Sequence, residues 1–400
     1  MQFAGIIAEY DPFHSGHAWQ LAEARRMGAV HIAVAMSCGL TQRGEISLLP
    51  ESVRAHAAVL CGADLVFALP APCACSGAEA FANAGVRLLA AAGCDALVFG
   101  AEDADAERLL AAAAVLRSEA YRSALKARLA AGARSFAAAR QQAVADVAPR
   151  PDLAALLDRP NNNLAVEYCK AILALRDEGI ELTPCPLPRQ GADHGAALAP
   201  GAAYASASAL RRLWAEHGPE ALAPYVPAEV LPLYREAYAA GQDADFAAAG
   251  RCQLALLRAA CGQSEPFAQT RGVSEGLDHR LEAAVRAACT RDGLVDDLTT
   301  VRYPRARMRR LAMDAALGYT RDLPAVSPYL HVLAARRAAL PLLKGARLPA
   351  SHSLARLRSA DAACAQMAAA QLAASDFAAL CRQKPGPMGG ILCQKNIFLP

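Results

Sequence analysis

The residues best suited to chemistry in this sequence stand near its start: His14 and His17, three apart across Ser15 and Gly16. Two imidazoles at that spacing can face one point, and each brings a donor whose charge is adjustable near neutral pH. Gly16 carries no Cβ to keep a ligand from the backbone. Just ahead lies Glu9-Tyr10-Asp11-Pro12-Phe13, with two carboxylates and a proline that stops extended chain. Far downstream, Ser206 and Ser208 precede Arg211 by about one helical turn. Hydroxyls and free N–H groups at a helix start can bind phosphate oxygens, but as a bare helix cap this segment carries no assignment of its own. The histidine pair with its helix start points to phosphate chemistry.

These side chains need elements to hold them. Residues 3–8 are apolar without a break, as in a strand covered on both faces. Ser15 is the expected N-cap of a helix running through Ala18, Leu21 and Ala22, whose positive end would face a ligand above the strand. Val30 to Met36 is a second apolar run and leads into the polar loop 37–45. A third strand is expected at 64–70 after a helix through Arg54, Ala58 and Cys61, and a fourth at 95–99. Ser76 is the expected cap of the helix between these two strands. Gly100 ends the fourth strand, where a backbone can pass close to an adenine or a ribose. Strands alternating with helices predict an α/β fold: a doubly wound, Rossmann-like parallel sheet with its site beyond the carboxyl ends of the strands.

From 104 to 148 the spacing is helical, an insertion after the fourth strand. Asn161, Asn162 and Asn163 open a long helix with side-chain amides at its cap, and a last strand at 180–187 runs into Arg189 and Gln190. The expected division is 1–217 for the sheet domain, with its insertion at about 104–150, then a helical domain at 218–383 and a tail at 384–400. The tail, with Pro-Gly-Pro and Gly-Gly, is expected to be disordered or loosely docked.

A net charge of +3 over 400 residues does not mark a nucleic-acid binder, so any RNA surface must come from local clustering. The one dense cluster, 302–310, supplies Arg302, Arg305 and Arg309 as candidate RNA contacts, with Arg305 and Arg309 one turn apart after Pro304. Thirteen cysteines, an odd number, fit free thiols in a reducing cytoplasm, and Cys73-Ala74-Cys75 is expected to be a pair of small apolar loop residues rather than a metal site. No stretch reaches the length of a membrane span.

The segment Glu9-Tyr10-Asp11-Pro12-Phe13-His14-Ser15-Gly16-His17 resembles the HxGH signature of the nucleotidylyl transferase superfamily. The chain as a whole resembles the tRNA(Met) cytidine acetate ligases. That family's E-Y-N-P-F-H-x-G-H loop has Asp11 here in place of Asn, its Q-R-G-E segment is Gln42-Arg43-Gly44-Glu45, and its P-N-N-x-L-x-x-E-Y segment is 160–168. Its D-K-W-x-R-A stretch is Pro50-Glu51-Ser52-Val53-Arg54-Ala55, which keeps the arginine and lacks the lysine.

The resemblance implies ATP held by Ile7, Ala8, Glu9, Tyr10, Asp11, Pro12, Phe13, His14, Ser15, Gly16 and His17, together with Gly100, Arg189, Gln190, Ser206, Ser208 and either Asn161 or Asn162. It assigns catalysis to His14, His17 and Arg211, with Mg²⁺ as ATP's companion and Asp11 as its candidate ligand. The implied reaction joins acetate to AMP and passes the acetyl group to N4 of the wobble cytidine of elongator tRNA(Met). Two alternatives stay open on the residues alone. Other nucleotidylyl transferases share the signatures, and the missing lysine with Asp11 for Asn also fits a non-catalytic nucleotide-binding relative.

Overall fold

The computed structural model describes residues 1–133, 135–189, 204–394 and 397–400. The first half alternates as expected: β1 (Phe3–Ala8), α1 (Ser15–Arg26), β2 (His31–Ser37), α2 (Glu51–Leu60), β3 (Leu65–Leu69), α3 (Ala71–Ala74), α4 (Ala78–Ala91) and β4 (Ala96–Ala101). Then come the insertion helices α5 (Ala106–Arg117), α6 (Glu119–Ala130), α7 (Phe136–Val147) and α8 (Pro151–Ala155), the long α9 (Pro160–Asp177) and β5 (Thr183–Pro188). Beyond it run α10 (Ala207–His217), α11 (Leu231–Ala239), α12 (Phe246–Ala260), α13 (Leu277–Ala287), α14 (Arg291–Leu298) and α15 (Arg305–Ala316). The chain closes with β6 (Leu330–Arg336), β7 (Ala350–Ser351), α16 (Leu354–Arg358), α17 (Ala362–Leu380) and β8 (Ile397–Leu399).

The sheet order is β5-β4-β1-β2-β3-β6-β7, with β8 also on β6, and β1 to β5 pair in parallel. The order reverses between β1 and β4, since the chain builds outward through β2 and β3 and then returns to the other side of β1. Such a reversal splays the loops at the carboxyl ends of two neighbouring strands and opens a crevice there. Alanine and leucine dominate the core, and the interior of β2 and β3 is solvent-free.

Two expectations are corrected. Residues 218–383 are not wholly helical, because Leu330–Arg336 forms β6 and pairs antiparallel with β3. Its apolar run H-V-L-A-A fits a buried strand or a buried helix equally well, and the deciding partner lies some 265 positions upstream. The tail is not loose throughout: Ile397–Leu399 pairs in parallel with β6, and Gly389 N–H donates to the Asp376 carboxylate at 2.7 Å. Among the described residues, no helix is long and apolar enough to cross a membrane.

Candidate nucleotide site

The crevice at the switch point is a cleft of about 280 Å³. β1 and its loop contribute Ile7, Ala8, Glu9, Tyr10, Asp11 and His14. Gly16, His17, Trp19 and Gln20 come from α1, Phe99 and Gly100 from the end of β4, and Leu187 and Arg189 from the end of β5. Asn161, Leu164 and Tyr168 come from α9, and residues 204–207 from the start of α10.

The start of α1 is built differently from the sequence expectation. Its N-cap is His14 rather than Ser15: the His14 Nδ1 accepts from Gly16 N–H at 3.1 Å, and the His17 Nδ1 accepts in return from His14 N–H at 3.3 Å. Ser15 instead donates through its hydroxyl to the Tyr225 carbonyl at 2.9 Å. An imidazole whose Nδ1 accepts carries its proton on Nε2, so both rings keep one N–H donor away from the cap. The rings stack with centroids 3.8 Å apart. Burial, with the nearby Arg189 guanidinium, lowers His14 to about 4. Burial, then His14 and Arg189, lowers His17 well below its ordinary value. Both are neutral donors at pH 7. Gly16 is required by this cap, since a Cβ there would lie 2.9 Å from His14 Cε1.

The loop before the pair is braced from behind. Arg54, 1% exposed, donates to the carbonyls of Glu9 (2.5 Å), Ser37 (2.9 Å) and Leu49 (3.0 Å), tying the ends of β1 and β2 together. That gives a structural task to the arginine kept in the 50–55 stretch. Tyr10 lies in the left-handed region at φ +51°, a strain held by its buried ring against Phe13 and His17 at 4.9 and 4.8 Å. Glu9 accepts from Gln42 N–H at 2.7 Å, and burial, reinforced by Asp11, raises its pKa. A carboxyl biased toward its neutral form repels an incoming phosphate less.

Several expected contacts fall elsewhere. Pro12 and Phe13 turn into the core, and the Phe13 carbonyl accepts from the Tyr234 hydroxyl at 2.6 Å, so neither they nor Ser15 lines the cleft. Asp11 is 2% exposed, with one oxygen accepting from Leu48 N–H at 2.6 Å and the other paired with Arg211 at 3.2 Å. Its carboxylate is therefore occupied. Among the described residues no group of three His, Cys, Asp or Glu side chains is placed to hold a metal. Arg211 also donates to the Asp11 carbonyl at 2.6 Å, and its guanidinium fastens α10 to the loop instead of lining the cleft.

Ser206 does cap α10, accepting from Ala209 N–H at 3.3 Å, and it lines the cleft; Ser208 lies behind it, with hydroxyl oxygens 3.2 Å apart. The two asparagines separate cleanly. Asn162 is 3% exposed and accepts from Asp103 N–H, whereas Asn161 lines the cleft. Their amides do not cap α9; the Glu102 carboxylate does, accepting from Asn161 N–H and Asn162 N–H at 3.2 and 2.6 Å. Arg189 lines the cleft, and among the described residues its buried Nη1 has no partner. Gln190 lies outside the described residues. Ser76 does not cap α4, whose N-cap is Gly77, and donates instead to the Cys73 carbonyl at 2.6 Å. Cys73 and Cys75 are free buried thiols at α3.

Trp19, Phe99, Leu164, Tyr168 and Leu187, not among the expected contacts, give the cleft its apolar walls, and Gln20 lines it while donating to the Val98 carbonyl at 3.3 Å. One signal was available: Asn161, Leu164 and Tyr168 recur at i, i+3 and i+7, one face of a helix. Phe99 and Tyr168 meet with ring centroids 5.5 Å apart.

A polar floor of fixed N–H donors, one guanidinium and flat apolar walls at a Rossmann-like switch point define a nucleotide-handling enzyme of the HxGH class. The HIGH Nucleotidyl Transferase family model matches residues 1–388. A tRNA(Met) cytidine acetate ligase of Acetivibrio thermocellus is 32% identical over 341 residues, spanning 82% of this chain and 80% of the relative. Another from Syntrophotalea carbinolica is 34% identical over 373 residues, spanning 90% and 86%. Thermotoga maritima TmcAL superposes over the full length of both chains, with TM-score 0.88 and 24% identity for a crystal structure bound with alpha-thio ATP, and 0.90 and 25% for the apo form. The chain belongs to the tRNA(Met) cytidine acetate ligase family.

Proposed function

We propose that this protein is an ATP-dependent ligase that joins acetate to AMP in the cleft and transfers the acetyl group to N4 of the wobble cytidine of elongator tRNA(Met). The observation that carries the reading is the stacked pair His14 and His17, neutral, with each Nδ1 engaged by backbone and each Nε2–H left to donate, beside the Arg189 guanidinium. The names of the relatives and the alpha-thio ATP held by the T. maritima protein support ATP and tRNA as its substrates.

In this reading an acetate oxygen attacks the α-phosphorus, the bond to the bridging oxygen breaks, and pyrophosphate leaves with the negative charge. His14 and His17 donate to the triphosphate as that charge develops, and Arg189, Ser206 and the N-terminus of α1 hold its oxygens. Fixed donors cost no reorganisation at that moment. The ring walls of Phe99 and Tyr168 suit a base, with Asn161 at its edge. The amine of cytidine is a poor nucleophile, which is why an activated anhydride and not free acetate serves as donor. It attacks the acyl carbon, AMP leaves, and the amide nitrogen loses a proton. Magnesium travels with ATP as part of the substrate, and the residues above act on the triphosphate directly.

The test is ATP–pyrophosphate exchange with a panel of carboxylic acids and small phosphoesters, without RNA. Exchange that depends on acetate is expected. Exchange with no acid sinks the ligase reading, and pyrophosphate release with a phosphoester alone puts the chain in another branch of its superfamily.

A further inference from the structure

The basic segment ahead of β6 has two faces with different electrostatics. Arg302, Arg305 and Arg309, expected from spacing to meet RNA, are each paired with a carboxylate: Arg302 with Glu275, Arg305 with Asp292 and Asp296, and Arg309 with Glu45 at 3.3 Å. The face carrying Arg307, Arg310 and Asp314 instead lines a cavity of about 440 Å³, together with Arg271 and Arg321. Arg271 grips Asp314 with two parallel bonds of 2.8 and 2.9 Å, so these two cancel. Among the described residues no carboxylate lies within ion-pair distance of Arg307, Arg310 or Arg321.

The three are positioned without being neutralised. Arg307 lies over the Tyr303 ring at 4.9 Å, Arg310 donates to the Gln42 carbonyl at 3.2 Å, and Arg321 donates to the Ala268 carbonyl at 2.7 Å. Burial and the neighbouring Arg307 and Arg271 charges lower the Arg310 pKa, against the opposing influence of Asp314. Across the cavity stand Ser76, Gly77 and Ala80 at the start of α4, a 14-residue helix with no side-chain cap. Its free N–H groups add to a field that already favours anions.

We infer that this cavity binds phosphodiester groups of the RNA substrate, with Arg307 and Arg310 as the principal contacts. The inference rests on the ligase reading for the identity of the RNA. Arginines three apart on a helix lie on one face with Cβ atoms about 5–6 Å apart, so two forks can meet neighbouring phosphates. The cavity also lies one loop from the chemistry. Gln42 accepts from Arg310 through its carbonyl and donates through its N–H to Glu9 in the cleft. Gly44, at φ +76°, packs that loop onto α15 so closely that a Cβ would stand 2.9 Å from Arg310 N. The loop at Gln42 thus borders both the cavity and the cleft.

The test compares Arg307→Gln/Arg310→Gln with Arg305→Gln/Arg309→Gln, measuring affinity for unmodified elongator tRNA(Met) over a series of salt concentrations. The first pair should lose at least tenfold affinity at low salt and flatten the slope of log K against log salt by about 1.4 to 1.8, the value for two phosphate contacts. The second pair should stay within about twofold of wild type. Because Arg310 also holds Gln42, the single change Arg307→Glu is measured as well: it touches no backbone partner and should weaken RNA binding while leaving acetate-dependent exchange unchanged. Wild-type affinity and slope in Arg307→Gln/Arg310→Gln, or a raised KM for ATP in Arg307→Glu, overturns the inference. Absence of exchange in the wild type counts against the ligase reading alone, since the salt slopes are read without catalysis.

Discussion

The nucleotide cleft and the cavity under α15 both receive phosphate in this account, and they are built on opposite principles. The cleft relies on neutral donors whose protons are fixed by backbone hydrogen bonds, with Arg189 as a guanidinium lacking a partner at its buried Nη1 among the described residues. The cavity relies on full charges, with three guanidinium groups against one cancelled ion pair. Fixed dipoles act over a short range on charge that appears during a reaction, whereas full charges attract a polyanion from a distance and lose their grip as salt rises. Chemistry and docking are thus separated across the loop 38–45.

The largest effect that can break this comparison is expected at His17. In His17→Asn the side-chain oxygen replaces Nδ1 as acceptor for His14 N–H, so the helix start survives while the Nε2–H donor is lost. Exchange should fall by about 10² to 10³, with ATP affinity changing far less, because the donor acts on charge that develops in the transition state. Equal losses in rate and binding would make His17 a docking residue, like those of the cavity.

A smaller effect is expected from pH. His14 sits at about 4 in the folded protein against an ordinary value of 6.5, so unfolding takes up a proton between those limits. Stability should therefore decline as pH falls from 6.5 toward 4 and gain nothing from His14 above 6.5. Denaturation midpoints at about pH 7 and pH 5 should differ less in His14→Asn than in the wild type. No change in that difference would mean that His14 titrates freely and is not held as a neutral donor.

How far each region could be read from sequence follows from the same contrast. One side of the cleft is made by residues close together in sequence, so the run 3–8, the break at Pro12 and the spacing of His14 and His17 point to it, whereas its other walls come from α9 and the ends of β4 and β5. What failed there was finer: Ser15 is the better cap by type, but His14 and His17 cap each other, a reciprocal bond that no preference for serine anticipates. Asp11 and Arg211 meet across 200 positions, so neither could be seen to occupy the other. The basic segment misled for that reason. Its arginines are adjacent in sequence, but whether each is free depends on Glu45, Glu275, Asp292 and Asp296, carried by other elements. β6 was missed on the same ground, its identity being fixed by β3.

The central claim, that the cleft activates acetate by attack on the α-phosphorus, is tested most directly by following oxygen. With acetate labelled by ¹⁸O at both oxygens, ATP and elongator tRNA(Met), one labelled oxygen becomes the bridge of acetyl-AMP and stays on phosphorus when the acyl carbon is attacked. Mass spectrometry should find one ¹⁸O in AMP and none in pyrophosphate. Unlabelled AMP, or label in inorganic phosphate, would contradict the account.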